Sequence, residues 1–207
     1  MKIVYIGIIK NEGKSVELSA ERALAGFNYF TRGSIGEFLS FSAETIAGRT
    51  LPGQRQSVKD KDTDYMFHAY ARSEGVCGII ATDQEYPNKV AHQLLSKIVD
   101  EFTSKYPRTA YANAEAKAAA NKDSAKLPFP ELANYIVKYQ DPQEADSVMK
   151  IQKELDETKI VLHDTIQSVL ARGEKIDDLV AKSDGLSAQS KMFYTQAKKQ
   201  NSCCTVM

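Results

Sequence analysis

Residues 148–197 read VMKIQKELDETKIVLHDTIQSVLARGEKIDDLVAKSDGLSAQSKMFYTQA. Steps of alternately three and four residues from Val148 reach fifteen positions, of which ten are apolar, four carry small hydroxyls and one is arginine. This seam consists of Val148, Ile151, Leu155, Thr158, Leu162, Thr165, Val169, Arg172, Ile176, Leu179, Ser183, Leu186, Ser190, Phe193 and Ala197. A repeat of 3.5 residues over about seven heptads predicts a left-handed coiled coil, about 75 Å long.

Such a helix needs partners. Gly173 and Gly185 each cost about 1 kcal/mol relative to alanine inside a helix, and the apolar seam would be exposed in a monomer. The Thr and Ser layers and the bulky Phe193 argue against a uniform self-associating zipper. We therefore expect a mixed bundle in which other chains supply complementary volumes.

Arg172 lies in the middle of the seam. A guanidinium in a desolvated core is costly unless its donors meet acceptors, so the position predicts a layer of partner side chains with carbonyl oxygens, such as Gln. A polar layer of this kind fixes the register of a bundle at some cost in stability. The alternative is a solvated helix on which an arginine happens to fall in phase.

The last four residues, Cys204-Thr205-Val206-Met207, form a C-a-a-X box, and a terminal Met favours farnesylation of the cysteine. One lipid chain binds a bilayer only marginally, and the adjacent Cys203 is placed to carry a second lipid. The pattern predicts a lipid-anchored protein. The alternative is a terminal cysteine that arose by chance.

The composition excludes several classes of protein. The chain has 27 Lys and Arg residues and 27 Asp and Glu residues, so it has no net charge that would attract nucleic acid. No run approaches the ~18 apolar residues of a membrane span, and the N-terminus lacks a signal-peptide layout, so we expect a cytosolic protein. Cys77 is the only cysteine outside the tail, and its apolar surroundings predict an inert thiol in a buried strand.

Residues 1–140 mix strand and helix signals, and the composition changes at Asp141-Pro142. We predict strands near residues 2–10, 15–19, 64–72 and 76–82, and helices near residues 35–49, 87–106 and 129–140. Ser34 and Glu37 would form the capping box of the first helix, and residues 107–128 would form a loop. The order predicts an α+β module with helices on both sides of an antiparallel sheet of about five strands.

No motif in the sequence supports an enzymatic function. Prenylated small GTPases share the C-terminal signal, but no G-x-x-x-x-G-K-[ST] loop is present, and residues 53–57 lack its second glycine and its lysine. No hydrolase motif surrounds His68, His92 or His163. We expect no catalytic residue, no metal site and no cofactor beyond covalent lipid.

ELDETK at residues 154–159 and LARGEKIDDLV at residues 170–180 resemble the R-SNARE motif. The N-terminal module is similar to a longin domain, and the chain ends in NSCC followed by TVM. Over essentially all 207 residues the chain therefore resembles the prenylated longin R-SNAREs of the YKT type. Other R-SNAREs usually end in a transmembrane helix instead of a CAAX box.

The resemblance implies a profilin-like longin domain at residues 1–140, an R-SNARE coiled-coil motif at residues 141–200 and a lipidated tail at residues 201–207. Arg172 would be the ionic-layer residue facing three glutamines. Cys204 would carry farnesyl, and Cys203 palmitoyl or a second prenyl such as geranylgeranyl.

The resemblance also implies the role and the partners. The helix would assemble with three Q-SNARE helices in a four-helix bundle that drives vesicle fusion. SNARE-disassembly and tethering factors would be further partners, on the cytosolic faces of Golgi, ER-derived vesicle, endosomal and vacuolar membranes. The alternative is a longin-type adaptor that tethers partners without driving fusion.

An exposed apolar seam and a lipid would aggregate or bind membranes unspecifically in the cytosol, so we expect a closed state. The longin half is the only shelter within the chain. We predict that the face of its first helix bearing Phe38 and Phe41 makes the autoinhibitory contact, and the resemblance implies the same role for Phe41. The alternative is that both rings pack on their own sheet.

Overall fold

A six-stranded sheet forms the centre of the molecule. The computed structural model describes residues 2–60, 63–142 and 159–203, without the side chains of residues 122, 197 and 200–203. The strands are β1 (Ile3–Lys10), β2 (Val16–Arg22), β3 (Arg55–Lys59), β4 (Tyr65–Ala71), β5 (Val76–Asp83) and β6 (Ile160–His163). Their spatial order is β2-β1-β5-β4-β3-β6, and only the β3–β6 pair is parallel.

The predicted sheet of about five antiparallel strands was therefore one strand short and lacked the parallel pair. β6 comes from the segment in which the heptad pattern predicts continuous helix. β3 was not located from the sequence, because its residues Arg-Gln-Ser-Val-Lys carry little apolar signal although four of the five are buried. Its backbone is occupied on both sides, by β4 and by β6.

Six α-helices accompany the sheet in the described part of the chain: α1 (Arg32–Ala47), α2 (Asn88–Lys105), α3 (Ala114–Ala120), α4 (Glu131–Lys138), α5 (Ile176–Lys182) and α6 (Ala188–Cys203). The uninterrupted helix expected over residues 141–200 is absent from residues 159–203. That stretch instead contains β6, a 3₁₀ turn at Ile166–Val169, α5 and α6. The reason is that this segment packs on the N-terminal half rather than on partner helices.

The alternation of side chains along β1 builds a core on each face of the sheet. Ile6 and Ile8 belong to the cluster with α2 and α4, whereas Tyr5 and Ile9 belong to the cluster with α1. Strand β1 is therefore covered on both faces. Cys77 is fully buried, and burial raises the pKa of its thiol to about 12, as expected of an inert core residue.

The start of α1 and residues 107–128 differ from the prediction. α1 begins at Arg32, so Ser34 lies inside the first turn and is not its N-cap residue. The Glu37 carboxylate accepts its hydrogen bonds from another helix. The predicted loop contains α3 between two 3₁₀ turns. Lys126, at its end, donates to the buried carboxylate of Glu17 at 2.8 Å and so ties the segment to β2. Burial raises the pKa of Glu17, but Arg22 and Lys126 outweigh it and lower the pKa to about 2.

Two buried histidines connect α2 to the sheet. The Thr82 hydroxyl donates to the Asp83 carbonyl, so it accepts from Nε2–H of His68 at 3.1 Å. His68 Nδ1 then accepts from Ser57 Oγ, which in turn accepts from Nε2–H of His92, both at 2.9 Å. His92 Nδ1 is left without a partner, as a bare acceptor. Each ring therefore fits its site with one proton only.

We expect the free energy of unfolding to fall between pH 7 and pH 5. Burial lowers the folded-state pKa of His68 to about 3 and that of His92 to about 2, the latter helped by His68 and Arg55. The unfolded chain takes up protons below pH 6.5, so stability is full above that pH and is lost as the pH falls toward 3. The loss is on the order of 2 kcal/mol per histidine at pH 5.

Urea denaturation at pH 7, 6 and 5 measures this effect, in a range above that in which carboxylates titrate. A double variant His68→Asn/His92→Asn serves as the control and should lose most of the pH dependence. An equal free energy of unfolding at pH 7 and pH 5 in the unmodified chain would contradict the neutral, buried pair.

Candidate functional site: the contact between the two halves

Residues 159–203 lie against the N-terminal half through four short elements. β6 adds to the edge of the sheet, with Arg55 opposite Ile160 and Val58 opposite His163. The 3₁₀ turn that follows buries Ile166 in the core cluster under α1. Helices α5 and α6 then cover the outer face of α1. Helices α5 and α6 therefore form a further layer of structure outside α1, beyond the two helical layers that flank the sheet.

An aromatic and aliphatic cluster holds α5 and α6 to α1. Phe38 is 3% exposed and stacks on Tyr194, with 5.5 Å between ring centroids and 23° between planes. Val180 and Leu186 complete the buried set, and Phe41 and Ile176 pack partly buried against it. A stacked pair of this kind contributes about 0.5–1.5 kcal/mol beyond the area it buries. Both predicted phenylalanines therefore face the folded-back segment.

The polar part of the contact begins at Glu37. Its Oε2 accepts from the Ser187 backbone N–H at 2.8 Å and from Ser190 Oγ at 2.7 Å. These groups form the N-terminal end of α6, where the helix dipole favours a negative charge. Glu37 thus caps a helix 150 residues away in sequence instead of its own helix.

Two ion pairs complete the polar contact. Arg49 Nη2 donates to both oxygens of Glu174, at 3.0 and 2.9 Å, and lowers the pKa of that carboxyl. Asp177 accepts from Lys198 Nζ at 2.7 Å and from the Tyr194 hydroxyl at 3.1 Å, which joins α5 to α6. The hydrogen bond from Lys198 is the main reason that the pKa of Asp177 is lowered. The four ion-paired side chains are partly exposed, so the pairs fix geometry more than they add stability.

Arg172 lies exposed in the turn before α5, away from the contact cluster. Gly173 beside it has φ +90°, a left-handed conformation that L side chains rarely adopt. Gln167 closes the turn, since its side chain donates to the Glu174 carbonyl at 2.6 Å and accepts from the Ile176 N–H at 3.2 Å. A continuous helix would require φ near −63° at Gly173, so this turn and the predicted coiled coil exclude each other.

The seam is divided among different environments. Leu186 and Ser190 are buried, whereas Ile176, Val169, Thr165, Leu179, Ser183 and Phe193 are partly buried. Leu162 is 66% exposed. Val148, Ile151, Leu155, Thr158 and Cys204 lie outside the described residues, as do the side chains of Ala197 and Cys203. The structure therefore brings Phe38 and Phe41 together with the C-terminal part of the seam, and leaves Arg172 apart.

Sequence reasoning missed several residues of this contact. Ile166, Val180 and Tyr194 are buried although none of them belongs to the seam. Their apolar character was visible in the sequence, but the heptad phase assigned them to the outer faces of the predicted helix. Glu37 was assigned to a capping box, and only the position of α6 gives it its role.

The described ranges 2–60, 63–142 and 159–203 contain no group of three or more His, Cys, Asp or Glu side chains arranged to hold a metal ion. No helix within those ranges is both long enough and apolar enough to cross a bilayer. The observed chemistry of the site is contact between segments of one chain.

Comparison with known proteins identifies both halves. Residues 24–136 match the model of the longin family, described as a regulated-SNARE-like domain, and residues 147–205 match the synaptobrevin model. The chain belongs to the Ykt6 family of synaptobrevin homologues. It is 52% identical to "Synaptobrevin homolog ykt6" of Schizosaccharomyces pombe and 51% identical to "Synaptobrevin homolog YKT6" of Saccharomyces cerevisiae. It is 46% identical to "VAMP-like protein YKT61" of Arabidopsis thaliana, and each of these matches covers the full length of both chains.

Membership of the Ykt6 family makes the chain a SNARE protein with a role in vesicle fusion, and SNARE proteins are not enzymes. The resemblance to longin R-SNAREs of the YKT type is confirmed. The prediction of an α+β longin module is also confirmed, with six strands in its sheet in place of five. The residues of the ionic layer, the lipidation sites and the autoinhibitory contact remain predictions.

We expect Gly173→Ala to release α5 and α6 from the longin half. A left-handed alanine costs about 1 kcal/mol in the folded-back form, and alanine gains about 1 kcal/mol in a helix. Added Cβ atoms meet nothing within 4 Å, so the effect is purely conformational. In the free chain the first cost alone shifts the equilibrium about fivefold toward the open form, and the gain in a helix adds to it only when partner helices are bound.

Amide hydrogen exchange of α5 and α6 measures the shift. Gly173→Asn is the matched control, because asparagine tolerates the left-handed region and favours helix less than alanine does. The expected result is loss of protection in the alanine variant and retained protection in the asparagine variant. Equal protection in both variants would contradict the role of this turn.

Proposed function

We propose that this chain is a lipid-anchored R-SNARE that assembles with three Q-SNARE helices into a four-helix bundle and thereby drives vesicle fusion. We further propose that the longin half inhibits assembly by holding the SNARE segment folded back. The observation that carries this proposal is the burial of Leu186 and Ser190, which are 6% and 1% exposed against the longin half. A seam residue cannot face α1 and partner helices at the same time.

The proposed bundle would give Arg172 its partners. Its side chain is exposed in the folded-back form, so it does not have to be desolvated there. Once residues 148–197 become helical, the heptad phase places Arg172 in the bundle core, where three glutamine carbonyls would satisfy its donors. Folding coupled to assembly would then supply the work of drawing two bilayers together.

The proposed anchor continues directly from α6. This helix runs to Cys203, and farnesyl on Cys204 with palmitoyl or geranylgeranyl on Cys203 would give the two signals that stable anchoring needs. Force from a bundle that zippers toward the C-terminus would reach the membrane through this helix. We expect the partners to include SNARE-disassembly and tethering factors, and the membranes to be those of the Golgi, ER-derived vesicles, endosomes and vacuole.

Two substitutions should separate inhibition from assembly. Tyr194 lies outside the seam but is buried on α1, so Tyr194→Ala should speed assembly with Q-SNARE helices about tenfold and leave the melting temperature of the bundle unchanged. Arg172 lies in the seam but outside the contact cluster. Arg172→Gln should therefore leave the assembly rate unchanged and cost the bundle about 3 kcal/mol, part of which a Gln→Arg change in a partner should restore.

Stopped-flow assembly, thermal melts and content mixing between liposomes measure these effects. Met192→Ala is the control for Tyr194→Ala, because Met192 is on the same helix and is 70% exposed. Unchanged assembly kinetics in Tyr194→Ala would contradict autoinhibition by this contact. Docking of liposomes without content mixing would indicate an adaptor instead of a fusogen.

We expect the tail cysteines to contribute unequally to membrane binding. Cys204→Ser should leave the protein in the soluble fraction, whereas Cys203→Ser should leave it prenylated and reversibly bound, because one lipid chain gives only marginal affinity. Cell fractionation with Cys77→Ala as the control distinguishes the variants, since Cys77 is a buried core thiol. A Cys204→Ser protein that still pellets with membranes would contradict the assignment.

A further inference from the structure

Two neighbouring aromatic side chains project into solvent just before α1. Tyr29 is 78% exposed and Phe30 is 80% exposed, with ring centroids 5.7 Å apart and an edge-to-face angle of 83°. The other strongly exposed large hydrophobic residues of the described ranges are separate in sequence: Leu51, Val137, Leu162 and Met192. Single exposed apolar residues are ordinary, but an exposed aromatic pair indicates a binding surface.

The backbone that carries the two rings is closed by internal hydrogen bonds. The Phe30 N–H donates to the Asn28 side chain at 3.0 Å, and the Thr31 N–H donates to the Asn28 carbonyl at 3.0 Å. The Arg32 guanidinium donates to the carbonyls of Phe27 and Ala25, at 2.9 and 2.8 Å. These bonded groups need no water as partners, which lowers the cost of moving this part of the loop into a weakly hydrated environment.

The loop precedes α1 and lies at the N-terminal end of that helix, near the point where α6 crosses it. Phe27, Thr31 and Ile35 line a groove of about 260 Å³ together with Phe193 of α6. From Phe193, α6 continues to Cys203, at the edge of the tail. The surface that carries the aromatic pair is therefore continuous with the contact between α1 and the helix that leads to the tail.

We propose that Tyr29 and Phe30 form a membrane-contact loop whose rings enter the boundary between headgroups and acyl chains of a phospholipid bilayer. Aromatic side chains favour this interface, where an apolar ring is buried and a phenol stays hydrated. Two rings give only weak binding alone, so the loop acts as a second contact for a chain already held at its tail. This role of the loop goes beyond the proposed function, because it makes the longin half itself a lipid-binding unit.

Tryptophan fluorescence tests the loop directly, since the chain contains no tryptophan. Full-length Phe30→Trp would be coupled through its tail thiols to vesicles of phosphatidylcholine, phosphatidylserine and a maleimide lipid, while Cys77 is buried and does not react. This coupling replaces prenylation, so the result does not depend on the proposed anchor. Leu51→Trp is the matched control, because Leu51 is 69% exposed and follows the opposite end of α1, about 24 Å away along the helix.

The expected result is a blue shift of Trp emission in Phe30→Trp and about twofold quenching by brominated phosphatidylcholine, with neither change in Leu51→Trp. In the uncoupled chain, Tyr29→Ser/Phe30→Ser should weaken vesicle partitioning about fivefold, and Leu51→Ser should leave it unchanged. The proposal is overturned if Phe30→Trp is not quenched, if both tryptophans are quenched equally, or if the double serine variant partitions like the unmodified chain.

Discussion

The backbone conformation of Gly173 separates two incompatible structures of the same segment. At φ +90° the chain turns and delivers α5 and α6 to α1, whereas a helical value would carry residues 148–197 away as one rod. β6 adds a second incompatibility, because Ile160–His163 cannot pair with β3 while it forms helical hydrogen bonds. The folded-back form of the SNARE segment is therefore a different fold from the predicted continuous helix. It does not arise by docking a preformed helix on the longin domain.

The contacts that hold the folded-back form are individually weak. The ion pairs of Arg49 with Glu174 and of Lys198 with Asp177 are partly exposed, and the apolar cluster around Phe38 is small. Pairs of this kind contribute at most about 1 kcal/mol each. The proposed four-helix bundle would bury the whole seam and so offer much more apolar area, and a modest set of contacts would then delay assembly without preventing it.

The sequence contained enough information for the longin core and for the identity of the second half, but not for the way they meet. The continuous apolar run of β1 and the apolar stripe of α2 predict buried elements, because both patterns depend on local burial. The heptad pattern instead fits the proposed bundle, in which Phe193 would be a core residue and Tyr194 would not. In the folded-back form the order is reversed, with Tyr194 at 4% exposure and Phe193 only partly buried. A single periodic pattern cannot encode two structures, and β3 was missed because its polar residues are buried through long-range hydrogen bonds.

Helix α1 links these features, because its two faces serve different purposes. Leu39 and Ile46 are fully buried in the core on the sheet, whereas Phe38 and Phe41 face the folded-back segment. The helix is therefore fixed by the domain whether or not the SNARE segment is bound, and the outer face is presented without a cost of ordering. Departure of the segment would expose Phe38 to water, and this exposure favours return of the segment or capture of another apolar partner. The same face that we propose inhibits the SNARE segment would thus become a binding surface once the segment had entered the proposed bundle.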